Sequence, residues 1–127
     1  MSNIIDKPWG REIIITNPDQ PYTGKILEIK AGSKLSLQYH DQKIETLALI
    51  SGQASIFFDN QEKTMQLFEG YLIKTTVVHR ITAITDCQIM EVSTPETGTT
   101  YRLEDDYQRV NETEEVRSSS NRGWQNT

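Results

Sequence analysis

The chain has 127 residues, with 18 Asp plus Glu against 13 Lys plus Arg, a formal net charge of -5 and no run of clustered basic residues. That length fits one domain with a single core, and the charge balance excludes a nucleic-acid backbone as the expected partner. The lone cysteine, Cys87, excludes an intramolecular disulfide and a cysteine-based zinc cluster, reads as a small buried residue, and agrees with a reducing compartment.

In chain order, "MSNIIDKPWG" lacks the basic and long apolar regions of a secretion signal, and no apolar run approaches the roughly 20 residues that span a bilayer. A soluble, cytoplasmic protein without a membrane partner is expected. "KPWG" reads as a rigid extended entry that lets Trp9 pack over one end of the fold. Then come "REIIIT", "GKILEIKA", "KLSLQYH", "ETLALIS", "QASIFFD", "KTMQLFEG", "YLIKTT", "HRITAI" and "CQIMEVST", about nine short β-rich runs. Turn signals such as "NPDQPY", "AGS", "SGQ" and "FDNQE" separate them, and no helical period precedes residue 100. The pattern predicts an all-β sandwich or barrel. Aliphatics on both faces of runs such as "REIIIT" point to outward apolar area covered by a second copy, hence a homodimer. "RLEDDYQR" reads as a surface turn or single helical turn in which the acids pair with Arg102 and Arg109, with a lid as the other option. The β domain is assigned to residues 1–110, and the polar "NETEEVRSSSNRGWQNT", residues 111–127, to a flexible C-terminal tail. Trp124 is its one oddity, a stray aromatic or an anchor on a partner subunit.

The chemistry concentrates in "LSLQYHDQKIET". Alternation puts Ser36, Gln38 and His40 on one face of a strand, and Leu35, Leu37 and Tyr39 on the other. Glu45 shares a face with Leu47 and Leu49 and converges on Gln38 and His40 if its strand runs back antiparallel. The only other histidine, His79, opens a later run and can complete a four-donor set. Two imidazole nitrogens with two oxygens suit a divalent Zn, Mn, Fe, Ni or Co, and four protein donors on a six-coordinate ion leave two positions open.

These residues carry a resemblance. Gly32, Gln38, His40, Glu45 and Gly52 stand at the spacing of the first motif of the cupin superfamily, and Gly70 with His79 fits the second, with Lys74 and Thr76 where Pro and Gly are usual. "KPWGRE", "LSLQYH", "HRI", "EVSTPE" and "RLEDDYQR" narrow it: the chain resembles the small single-domain cupins similar to type II phosphomannose isomerases over residues 7–110. It departs from them at "TGTTY" and at Gln108, where relatives carry Gly. The resemblance implies a double-stranded β-helix, or jelly-roll barrel, with a divalent metal held by Gln38, His40, Glu45 and His79. It also implies a homodimer and a sugar or sugar phosphate as ligand.

On such a metal a carbonyl and its neighbouring hydroxyl are polarised, and aldose–ketose exchange needs only a proton shuttle. With both histidines spent as ligands, Lys43 is the first candidate and Tyr39 the second. Arg11, Lys25 and Arg102 are candidates for an anionic group such as phosphate, and Arg80 for a wall or dimer residue. The leading expectation is a metal-dependent isomerase or epimerase-like enzyme acting on a carbohydrate. A non-catalytic carbohydrate-binding or accessory cupin is the alternative. A non-haem iron dioxygenase built on His40, Glu45 and His79 is the second alternative.

Overall fold

The computed structural model of the chain describes residues 3–119 and 122. Among them are eleven strands: β1 (Ile4–Lys7), β2 (Gly10–Ile14), β3 (Thr23–Ile29), β4 (Leu37–His40), β5 (Glu45–Ser51), β6 (Ala54–Phe58), β7 (Gln61–Thr64), β8 (Gly70–Ile73), β9 (Arg80–Ala83), β10 (Cys87–Ser93) and β11 (Thr100–Glu104). One short helix, α1 (Glu114–Arg117), follows. Among the described residues no helix is long and apolar enough to cross a membrane.

The nine expected runs correspond to β2 through β10. β1 and β11 are additional, and both are made by pairing: Ile4 opposes Ile13 on β2, and Tyr101 opposes Tyr39 on β4. "RLEDDYQR" is therefore a strand end followed by a turn, with Arg109 Nε donating to Asp105 Oδ2 at 2.9 Å.

Six strands form one antiparallel sheet in the order β1-β2-β3-β10-β5-β8. The pairs β11-β4 and the triple β7-β6-β9 are joined into a second layer by isolated bridges, Lys34 with Thr82 and Gln38 with His79. The two layers meet through Leu27, Ile29, Leu47, Leu49, Ile73 and Ile89 on one side and Ala54, Ile56, Ile81 and Ala83 on the other, all buried in one core. Trp9 belongs to the same core.

Alternation continues past the aliphatics. On β3, Lys25 is buried in phase with Leu27 and Ile29, and on β10 Glu91 is buried in phase with Cys87 and Ile89. On β5, Glu45 precedes Leu47 and Leu49 on the inward face. One part of the interior is thus apolar and another is lined by charge.

Turn geometry explains several sequence choices. Asp59 and Asn60 have φ of 51° and 59° between paired Phe58 and Gln61, the two-residue hairpin that suits the strand twist. Gly52 has φ of 81°, and a Cβ there would stand 2.2 Å from Asp86 O. Thr76 and Gln108 also take positive φ, 65° and 55°. At Thr76 the turn is kept because its N–H donates to His40 O at 2.8 Å. A β-branched residue is strained in that conformation, so Thr76→Gly should raise the free energy of unfolding by about 1 kcal/mol, read from urea denaturation midpoints.

Candidate metal centre

β4 delivers Gln38 and His40, β5 opens with Glu45, and His79 stands immediately before β9. The bridge between Gln38 and His79 fixes their spacing through two backbone hydrogen bonds of 3.0 and 2.8 Å. The imidazoles of His40 and His79 lie 5.1 Å apart, and with Glu45 they form a buried group whose ligand atoms all fall within 4.8 Å of one another.

The hydrogen bonds around the rings define what faces the centre. His79 Nδ1 lies 2.9 Å from Val77 O, which only accepts, so Nδ1 carries the proton and Nε2 presents a lone pair. That lone pair stands 3.1 Å from Glu45 Oε1, a second acceptor, and His40 Nε2 approaches the same oxygen at 3.6 Å. His40 Nδ1 is bonded to Thr100 Oγ1 at 2.8 Å. Both Nε2 atoms are buried without a hydrogen-bond partner. Two buried imidazole Nε2 atoms without a hydrogen-bond partner, both facing one carboxylate, form an arrangement that a shared cation satisfies, and this donor set fits a divalent transition metal or zinc.

The protonation states agree. Burial pushes the His40 imidazole below its ordinary value, and Lys43 adds to this while Glu45 opposes it. Burial would raise the Glu45 carboxyl, but Lys43 and the two imidazoles outweigh it and hold the group well below the usual carboxylate range. Neutral imidazole and ionised carboxylate are the ligand forms.

A layer of buried charge surrounds the centre. Lys43 Nζ lies 3.1 Å from Glu45 Oε2, 3.0 Å from Glu91 Oε2 and 3.4 Å from Glu96 Oε1. Lys25 Nζ donates to Glu12 Oε1 at 2.7 Å and also to Glu96. Lys7 lies 3.8 Å from both Glu12 and Glu112, and Arg102 Nη2 donates to Glu112 Oε2 at 3.1 Å. Burial pushes the Lys7 ammonium down to about 8 against the pull of Glu12 and Glu112. Burial also raises the Glu91 carboxyl; Lys25 and Lys43 oppose this, and Glu45 and Glu96 reinforce it. A cavity of about 60 Å³, room for a few waters, is bordered by Gln38, His40, Lys43, Glu91, Lys25 and Arg102. A neighbouring void of about 20 Å³ touches Gln38, Glu45, His79 and Glu91.

Several expected residues stand elsewhere or behave differently. Three carboxylates raise the Lys43 ammonium well above its ordinary value despite burial, which makes it a poor general base. Tyr39 stacks on Tyr101, ring centroids 4.9 Å apart, on the face opposite His40. Arg11 is half-exposed and bonds Glu28 away from the cavity, so it cannot hold a ligand beside the histidines. Arg80 donates to Leu35 O at 2.8 Å and pairs with Glu104 and Asp106.

Sequence reasoning passed over Glu12, Glu91, Glu96, Glu112, Lys7 and Arg122. For Glu91 the signal was present, an acid in phase with buried Cys87 and Ile89. The others lie on strands and connecting segments far apart in the sequence and meet only in the folded chain. Within the segment expected to be a flexible tail, residues 111–119 and Arg122 make contacts with the sandwich. Glu112 is buried and exchanges two backbone hydrogen bonds with Thr100, at 2.8 and 2.9 Å. Thr113 caps α1 by accepting from Val116 N. Charge that finds partners outweighs a polar composition. Trp124 lies outside the described residues.

Burial raises the Glu112 carboxyl, but Lys7 and Arg122 overcome this and bring it to about 2. The folded value lies below the ordinary 4.5, so its contribution is complete above that pH and is lost as pH falls toward 2. Glu112→Gln should therefore cost on the order of 3 kcal/mol near neutral pH, with the difference from the parent chain closing as pH falls. Urea denaturation across that range measures it.

The family model described as mannose-6-phosphate isomerase C-terminal matches residues 1–112. No curated protein matches the sequence. Among solved structures, KdgF from Halomonas sp. superposes with a TM-score of 0.66 at 11% identity, covering 73% of this chain and 87% of that one. Ectoine synthase from P. lautus gives 0.66 at 17% identity, covering 73% and 69%. An RmlC-like cupin from Shewanella frigidimarina gives 0.65 at 12% identity, covering 74% and 84%. At these identities the likeness concerns the fold, which is the cupin jelly roll.

Proposed function

The chain belongs to the mannose-6-phosphate isomerase C-terminal family, and from that premise we propose that it is a metal-dependent enzyme acting on a sugar or sugar phosphate by isomerase or epimerase-like proton transfer. The observation that carries the reading is the pair of buried, unpartnered imidazole Nε2 atoms facing Glu45 Oε1. In this proposal Gln38 joins His40, Glu45 and His79 as the fourth ligand of Zn, Mn, Fe, Ni or Co. A divalent cation held there would supply Lewis-acid polarisation of a carbonyl oxygen.

The chain's own groups do the rest. Glu91 is assigned the proton transfer in place of Lys43, because it borders both voids and burial raises its carboxyl above the ordinary value. Lys43 holds Glu91 at 3.0 Å and Glu45 at 3.1 Å, fixing both carboxylates and stabilising negative charge that develops between them. Lys25 and Arg102, which border the same cavity, remain as candidates for an anionic group. The proposal includes a cytoplasmic homodimer. It is supported by half-exposed Ile4, Leu72 and Val92 on the outer face of the six-stranded sheet.

A second reading, a carbohydrate-binding module without turnover, is favoured by the small size of the cavity. The His40, Glu45 and His79 set by itself is also that of a non-haem iron oxygenase.

Metal analysis of protein purified without added metal should find about one divalent ion per chain, and His40→Ala and His79→Ala should lose it while staying folded. Full occupancy in either variant refutes the centre. With the loaded protein, exchange of the C2 proton of hexose phosphates into deuterated solvent should be seen by NMR and should fall about 100-fold or more in Glu91→Gln. Metal without exchange leaves the binding module, and substrate-dependent oxygen uptake leaves the oxygenase.

A further inference from the structure

The family match ends at residue 112, yet the chain beyond it supplies part of the cavity wall. Arg122 Nη2 lies 3.2 Å from Glu12 Oε1, and Nη1 lies 2.5 Å from Glu96 Oε2 and 3.0 Å from Glu112 Oε1. Its side chain is only 9% exposed, although the residue as a whole is partly open to solvent. Arg122 is thus a largely buried part of the cavity lining. Arg117 makes a second attachment: Nε lies 3.1 Å from Glu112 Oε1, and Nη2 donates to Gly98 O at 3.1 Å. Glu112 is paired to Thr100, and the Thr100 hydroxyl holds His40.

Behind this arrangement the cavity measures about 60 Å³, whereas pockets that take small organic ligands begin at roughly 300 Å³. A sugar does not fit a cavity of that size, and one of the side chains that line it is Arg122. The carboxylates that hold it, Glu12 and Glu96, also have Lys25 as a partner, so the guanidinium can leave without stranding them.

We propose that Glu112, α1 and Arg122 form a strap that closes the ligand cavity, with Arg122 as its latch, and that the latch must release before a sugar-sized ligand reaches the histidines. The strap deepens the functional reading and rests on it for the nature of what enters. Its closure rests on the contacts of Arg122 and Arg117.

The test uses the full chain loaded with zinc and an excess of the chelator 4-(2-pyridylazo)resorcinol, which is far larger than the cavity. Arg122→Gln should release zinc to it about 10-fold faster than the parent chain, and Arg122→Lys should stay near the parent rate. In parallel, hydrogen exchange on metal-free protein should speed up at the amides of Glu112 and Arg117 in Arg122→Gln and stay unchanged at Ile89, which also shows that the variant is folded. Parental exchange at Glu112 and Arg117 overturns the strap. Faster exchange with parental zinc release overturns the gate, because the strap then opens without exposing the centre. If the parent chain takes up no zinc, the metal-dependent reading fails by itself, and the exchange measurement decides the strap alone.

Discussion

Glu45 sits out of contact with water between an ammonium at 3.1 Å and two imidazoles, and much of the interior is arranged around that one carboxylate. A charge removed from water costs several kcal/mol unless an opposite charge meets it. Lys43 meets Glu45 but is itself buried, so Glu91 and Glu96 hold Lys43. Lys25 then shares Glu91 and Glu96 and brings in Glu12, and Lys7 links Glu12 to Glu112. Each pairing creates the need for the next until Arg117 and Arg122 reach the surface. The network is a consequence of placing one ionised carboxylate deep in a β sandwich.

The fold makes such a chain of charges possible because antiparallel register is rigid. Thr100 opposes His40 on neighbouring strands, so a hydroxyl meets the ring nitrogen that faces away from the centre. Gln38 opposes His79 across the bridge between layers, so two side chains from distant parts of the sequence share a height in the structure. Sheet pairing thus sets ligand spacing before side chains choose rotamers. A one-residue slip would turn every one of these groups outward.

The core and the ligand strand were legible in the amino-acid sequence because both follow period 2. Leu27, Leu47 and Ile89 repeat every second residue with Ile29, Leu49 and Cys87, and the same count puts Gln38 and His40 on one side. β1 and β11 were not legible, since "IIDK" and "TYRLE" carry too little alternation and exist through their partners. Lys43 illustrates another limit. Its place beside the ligands follows from position, but its protonation depends on three carboxylates brought from residues 45, 91 and 96.

The sequence by itself determined an all-β domain, the inward faces of its strands, and the motif that carries Gln38, His40 and Glu45, because these depend on neighbours a few residues apart. Tertiary structure alone decided which charges meet: that Glu91 stands beside the centre, that Lys43 is held as a cation, and that Arg122 lines the cavity. The physical reason is distance along the chain. Alternation is a local property of the backbone, whereas the pairing of buried ions is set by the register between strands and by the cost of leaving any of them alone.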